Sequence, residues 1–239
     1  MTGYVVHEGE LEAERGNGDT AALAVAIDSS NGSSVLELHL VRYGPGRSTP
    51  RTLEGVQEIM YTTSGSGLLA VAGESHELEP GTAVYLTAGE TYEIDNPGSE
   101  ELTIVSATAP QSADDAQAPT SRTVRYADQP TLPASGDREF RYLVTDEVGC
   151  RDATQFYGVI APGRAPDHSH VYDEVIYVLE GKGVLHSEGE DRPVSAGSCI
   201  HLPSFFVHSL ENSGDVPMRI VATFHPSGDP ASRAYEANE

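Results

Sequence analysis

Four side chains in the last third of the chain have the types and the spacing to hold a metal ion. His168 and His170 stand two residues apart, so on a strand both imidazoles leave the same face. Glu174 keeps that parity four residues on, and His208 follows 34 residues later at the end of P-S-F-F-V-H. Three imidazoles and one carboxylate make a borderline N/O donor set, suited to Fe(II), Mn(II) or Ni(II), with Zn(II) and Co(II) also within its range. Four protein donors leave one or two positions of an octahedral ion open, and substrate, water or dioxygen would use them.

Tyr172 shares the parity of the ligands, and Phe205 and Phe206 sit just before His208, so all three are candidate walls of a pocket. His201 and Cys199 alternate on one face of a strand that leads to Pro203, and His186 ends another strand. Tyr172 and His201 are the candidate catalytic groups, although a lone histidine in a β-rich chain more often plays a satisfied structural role. Cys199 reads as a small buried apolar residue, because no Cys/His pair of catalytic type accompanies it. The chain has no P-loop, no Rossmann glycine motif, no nucleophile elbow and no C-x-x-C.

The elements that must position these groups are short strands. Apolar or alternating runs bounded by Gly, Pro, Asn or Ser recur at Thr20–Ile27, Ser34–Arg42, Glu58–Tyr61, Leu68–Ala72, Ala83–Leu86 and Leu102–Ala107. A second series follows at Phe140–Val144, Thr154–Ala161, Glu174–Leu179, Gly183–His186, Ser198–Leu202 and Met218–Phe224. Landmarks in the two series keep one offset of 116 residues: Glu58/Glu174, Gly65/Gly181, Gly73/Gly189, Gly81/Gly197, Asn96/Asn212 and Gly98/Gly214. Six landmarks in one register mark an internal repeat. The expectation is an all-β chain with one unit over residues 1–108, a linker poor in large apolar residues over 109–121, and a second unit over 122–239. The stretch Asp229–Glu239 is the one helix candidate. Within the ligand strand Ile176 and Val178 extend the face of Glu174, while Val175, Tyr177 and Leu179 point the other way. Both faces are apolar, so the strand should be buried on both sides.

Composition narrows the partners. The 239 residues carry 37 acidic against 14 basic side chains, a net charge of −23. Nucleic acid and anionic membrane surfaces both need a concentrated basic patch, so no nucleic acid and no membrane is expected as a partner. The first residues lack the basic flank and apolar stretch of a signal peptide, which gives a cytoplasmic expectation. Two cysteines do not make a disulfide framework.

At Gly163, His168, His170, Glu174 and Gly181 the chain resembles the first motif of the cupin superfamily, with its first gap one residue short. Gly197, Pro203, His208 and Asn212 resemble the second motif, with Phe205 where the family usually has Gly. The resemblance implies a bicupin of two tandem jelly-roll β-barrels, with one divalent metal held by His168, His170, Glu174 and His208. The first copy departs from the pattern: Thr52 and Glu54 stand in place of the two histidines, Tyr92 in place of the last one, and Thr87 in place of the proline. With Glu58 alone conserved between the copies, the first barrel is expected to be a degenerate scaffold, a residual pocket at Glu54, Glu58 and Tyr92 being the alternative. The function implied is that of a metal-dependent oxidoreductase, of dioxygenase or decarboxylase type, acting on a small oxygen-bearing molecule. Two alternatives stay open. One is an Mn hydrolase similar to (S)-ureidoglycine aminohydrolase, whose ligand run Glu-x-His-x3-His followed by Gln differs from the one here. The other is a non-enzymatic binding or accessory cupin. A homodimer is expected as a way of covering sheet edges.

Overall fold

The computed structural model describes residues 3–111, 116–134, 138–187 and 189–232. The chain is almost wholly strand. The main ones in the first half are β1 (Tyr4–His7), β2 (Ala21–Ile27), β3 (Glu37–Tyr43), β4 (Val56–Ser64), β5 (Gly67–Val71), β6 (Glu74–Leu78), β7 (Thr82–Leu86), β8 (Thr91–Asn96) and β9 (Leu102–Pro110). Those of the second half are β10 (Thr123–Arg125), β11 (Arg138–Val144), β12 (Thr154–Ile160), β13 (Asp173–Glu180), β14 (Lys182–Ser187), β15 (Glu190–Ser195), β16 (Ser198–Leu202), β17 (His208–Asn212) and β18 (Met218–His225). Among the described residues the only helical turns are short 3-10 segments, and no helix is long and apolar enough to cross a membrane.

Each half folds a large antiparallel sheet against a small one. In the second half the large sheet runs β1-β16-β13-β18-β12-β11 and ends on Leu132–Pro133, and the small one joins β17, β14 and β15. The first half repeats the plan, with β10-β7-β4-β9-β3-β2 facing β8, β5 and β6. The result is two tandem jelly-roll barrels. Alternation along the strands sorts side chains into three cores. Ile176, Val178, Leu202 and Phe224 fill the second barrel, and Met60, Leu86, Ile94 and Ile104 fill the first. Tyr61, Tyr85, Tyr157, Val175, Tyr177 and Cys199 point outward from the two large sheets and pack together between the barrels. The apolar double face read in the ligand strand has this cause: one side lines a barrel, the other the seam.

The repeat landmarks have physical reasons. Asn212 donates from Nδ2 to the Ile160 and Val216 carbonyls (2.8 Å each) and accepts from the Gly214 N–H at 2.9 Å. Asn96 does the same with Tyr43, Glu100 and Gly98 at 2.9, 2.8 and 3.0 Å. A buried amide thus satisfies a whole turn in both copies. Gly181 has φ +96°, and a Cβ there would lie 2.9 Å from the Met218 Cα. Its partner Gly65, at φ +77°, has the Glu101 carbonyl oxygen 2.4 Å from the Cβ position.

Six strands lie outside the sequence reading: β6, β8, β15 and β17 of the small sheets, and β1 and β10, which join the units. β1, the chain's first strand, pairs with β16 of the second barrel (Tyr4 opposite His201, His7 opposite Ser198). In the reverse direction β10 pairs with β7 of the first barrel (Thr82 opposite Arg125). Hydrogen bonding therefore crosses the unit boundaries placed at 108/109 and 121/122. Strand β9 also runs on through Ala109 and Pro110, and residues 116–121 form neither helix nor strand. Asp229–Ser232 are turn and irregular rather than helical, and the remainder of the helix candidate lies outside the described residues.

Candidate metal centre

The second barrel brings His168, His170 and His208 into one cluster and places Glu174 beside His170. His168 and His170 lie in an irregular segment between Arg164 and Asp173, not in a regular strand. A two-hydrogen-bond bridge holds the first of them: His168 N–H donates to the His208 carbonyl (3.0 Å) and His208 N–H to the His168 carbonyl (2.9 Å). Ligand nitrogens of His168, His170 and His208 all lie within 4.8 Å of one another. Glu174, near the start of β13, puts Oε2 3.8 Å from His170 Nε2.

Tautomers follow from the partners. His168 Nδ1 faces the Pro166 carbonyl at 3.0 Å and His208 Nδ1 faces the Phe206 carbonyl at 2.9 Å. A carbonyl only accepts, so each Nδ1 carries the proton and Nε2 is the acceptor atom of the neutral ring. Backbone support of this kind orients metal-bound imidazoles in general. Burial, reinforced by His168, depresses the His208 imidazole to about 4, so it is neutral, as a ligand must be. Glu174 is 4% exposed, and burial pushes its carboxyl up to about 8. A cation beside it would restore the carboxylate. Convergent imidazoles beside one buried carboxyl fit a divalent transition ion, so His168, His170, Glu174 and His208 are the residues that would hold it.

These side chains line a cavity of about 80 Å³. Phe140, Phe156, Ile176, Leu202, Ile220 and Phe224 supply its apolar wall. Arg138 also lines it and was not singled out from the sequence, where a lone arginine carries no pattern. Its parity with Phe140, two residues on, was the one available signal.

Other expected site residues lie elsewhere. Tyr172 is buried behind the centre: its ring stacks on His170 at 4.8 Å and 11° and on Phe224 at 4.0 Å, while its hydroxyl donates to the Asp229 carbonyl at 3.3 Å. It braces a ligand and does not line the cavity. His201 is opposite Val175 in the β16–β13 ladder, on the side that faces the seam, with Nε2 3.3 Å from Asp173 Oδ1. Alternation explains the placement, since Leu202, one residue on, is the one that enters the barrel. Phe205 is 68% exposed at φ +61° and lines no part of the cavity. With Gly replaced by Phe the left-handed turn is kept, and the ring is turned outward. Phe206 packs on the barrel core and lies nearly parallel to His208 (6.1 Å, 11°). Cys199 sits buried in the seam, where burial pushes its thiol up to about 12.

In the first barrel the corresponding place holds a hydrogen-bonded cluster. Tyr92 donates to Glu58 Oε2 at 2.8 Å and Ser106 donates to Oε1. Thr52 pairs with Thr91 (2.7 Å), and Glu54 is exposed. Protein donors occupy Glu58 where Glu174 faces imidazoles.

The cupin domain family model matches residues 39–108 and again 156–224. An oxalate-binding protein of Thermotoga maritima is 32% identical over 90 residues, 36% of this chain and 74% of that protein. Another curated relative is matched over 48% of its length. Among solved structures, protein Ylba from E. coli superposes with a TM-score of 0.79 at 16% identity, covering 93% of this chain and 90% of that one. A variant of Bacillus subtilis oxalate decarboxylase gives 0.73 at 16% identity, covering 96% and 78%. Two family matches in one chain, on the two barrels described above, leave one conclusion: the chain belongs to the cupin family and is a bicupin.

Proposed function

We propose that this protein is a metal-dependent oxidoreductase that acts, at its C-terminal barrel, on a small oxygen-bearing organic anion. The observation that carries the reading is the convergence of three imidazole nitrogens beside the buried Glu174 in the lining of a cavity. A divalent ion held there supplies Lewis acidity and open coordination positions. The chain does the rest. Backbone carbonyls fix the His168 and His208 rings, Tyr172 braces the third ring, and phenylalanine and aliphatic walls keep water away from the reacting atoms. An oxalate-binding relative and an oxalate decarboxylase of the same fold support a small carboxylate-bearing ligand.

The test is metal analysis of purified protein beside His208→Ala and Glu174→Gln, followed by oxygen uptake and decarboxylation assays after loading with Fe(II), Mn(II) or Ni(II). About one metal per chain in the parent, at least tenfold weaker retention in His208→Ala, and turnover with one of the ions support the reading. Equal metal in parent and variant would remove its basis.

A further inference from the structure

His208 is oriented by a residue of its own turn, and a glycine of the first unit seats that residue. His208 Nδ1 donates to the Phe206 carbonyl at 2.9 Å, so the place of that carbonyl decides which ring nitrogen keeps the proton. Backbone bonds hold the turn between β16 and β17 from within. The Phe206 N–H donates to the Pro203 carbonyl at 3.1 Å, and the Phe205 N–H to the His170 carbonyl at 2.6 Å.

The half-buried Phe206 ring lies against Gly3, which is buried. A Cβ on Gly3 would stand 2.7 Å from Phe206 Cε1, 3.1 Å from Cζ and 3.2 Å from the His201 carbonyl oxygen. The ring therefore packs on glycine backbone, where no side chain fits. Gly3 is itself tied down. Arg192 Nη1 donates to its carbonyl, and β1, which opens at the next residue, pairs with β16 from Tyr4 opposite His201 to His7 opposite Ser198. Alternation along β1 sends Val5 onto the core of the second barrel and Tyr4 and Val6 into the seam. The strand is thus a wall of the barrel that holds the imidazoles, and Gly3 is where that wall meets the His208 turn. The contact path is short: Gly3 backbone, Phe206 ring, Phe206 carbonyl, His208 Nδ1. The Phe206 ring also lies nearly parallel to the His208 ring, so its displacement reaches the imidazole twice.

We propose that Gly3 and Phe206 are positioning residues for His208, through which a strand of the first unit sets the tautomer and the aim of an imidazole in the second barrel. The consequence at a bound ion rests on the metal-centre reading; the tautomer stands without a metal.

The test uses the full chain with nitrogen-15 histidine, in the parent, Gly3→Val, Phe206→Ala and the two combined. Gly189→Ala is the destabilised control, since its Cβ would meet open space. Long-range proton–nitrogen NMR on metal-free protein reads the His208 tautomer, its signals identified by their loss in His208→Ala. Mn(II) titration and thermal melting follow on the same samples. The parent and Gly189→Ala should show His208 protonated at Nδ1 alone. Gly3→Val and Phe206→Ala should show a mixture with the Nε2–H form and bind Mn(II) about 10-fold more weakly. The double variant should bind no more weakly than Phe206→Ala, because with the ring gone the valine has nothing to push. Gly3→Ala, whose Cβ meets the same ring atoms, serves if the valine variant does not fold. A parent-like tautomer and affinity in Gly3→Val and Phe206→Ala overturn the proposal, and so do losses that add in the double variant. If His208→Ala binds Mn(II) as tightly as the parent while Gly3→Val still mixes the tautomers, the metal-centre reading fails and the positioning role survives.

Discussion

At the scale of single residues, the histidines show how neighbours rather than sequence decide a role. His168 and His208 are each given one backbone carbonyl at Nδ1, which leaves Nε2 as a ligand atom. His186 lies between two carboxylates instead, with Nδ1 2.7 Å from Asp191 Oδ1 and Nε2 2.6 Å from Glu211 Oε2. Two acceptors need two N–H donors, so the protonated ring is favoured, and the bond to Glu211 holds its pKa above the usual 6.5. A folded-state pKa above the unfolded one gives stability that is complete below about pH 6.5 and is lost as the pH rises through the raised value. The site is near the surface, so the effect should stay below about 1 kcal/mol. Urea unfolding of parent and His186→Gln at pH 6 and pH 9 should show a gap that closes at the higher pH. A gap that widens instead would mean the neutral ring is the one the fold prefers.

At the scale of elements, close packing of the small sheet against its neighbours is what the repeat preserves. Gly183 stands in β14 where a Cβ would lie 1.9 Å from the Glu211 carbonyl oxygen, and Gly67, 116 residues earlier, would meet the Asp95 carbonyl at 2.8 Å. Gly183→Ala should therefore cost about 3 kcal/mol, because backbone cannot yield as a side-chain tip can. Gly189→Ala, at φ +84° with open space around it, should cost about 1 kcal/mol from backbone conformation alone. Chemical denaturation of the two variants measures the difference, and similar losses would refute the packing argument. Landmarks of this kind are why so much was legible. Periodicity and turn residues located twelve strand runs to within a few residues but passed over the more polar β6, β8, β15 and β17 and the two joining strands, and the offset of 116 exposed the two copies. The imidazole cluster was legible because residue types and spacing match a motif, although His168 and His170 lie in no regular strand. Arg138 was not, since a single arginine at the start of a strand leaves no pattern. His201 misled because spacing along a strand cannot say which face enters the barrel.

At the scale of the whole molecule, the two barrels are joined in two ways that a linear reading separates. β1 hydrogen-bonds along β16, the strand that also pairs with the Glu174 strand, while β10 completes the edge of the first barrel. The same N-terminal segment is tied down further: Glu8 N–H donates to the Gly197 carbonyl at 2.9 Å, and Tyr177 donates to Glu8 Oε2 at 3.1 Å. Between the barrels lies a continuous apolar core in which Tyr61 meets Tyr157 at 6.3 Å and Leu143, Val175 and Val221 join residues of both large sheets. Splitting the chain into residues 1–121 and 122–239 would thus remove one strand from each half, open two sheet edges and expose an apolar face on both. Each half alone should aggregate or remain partly unfolded, since unpaired edges beside apolar surface are association sites. The intact chain should unfold in one calorimetric transition, because neither barrel keeps its complete sheet once the other is lost. Co-expression of the halves should restore a soluble complex that holds metal. Two well-separated transitions in the intact protein, or a soluble 122–239 fragment with full metal affinity, would show that the second barrel needs neither the borrowed strand nor the seam.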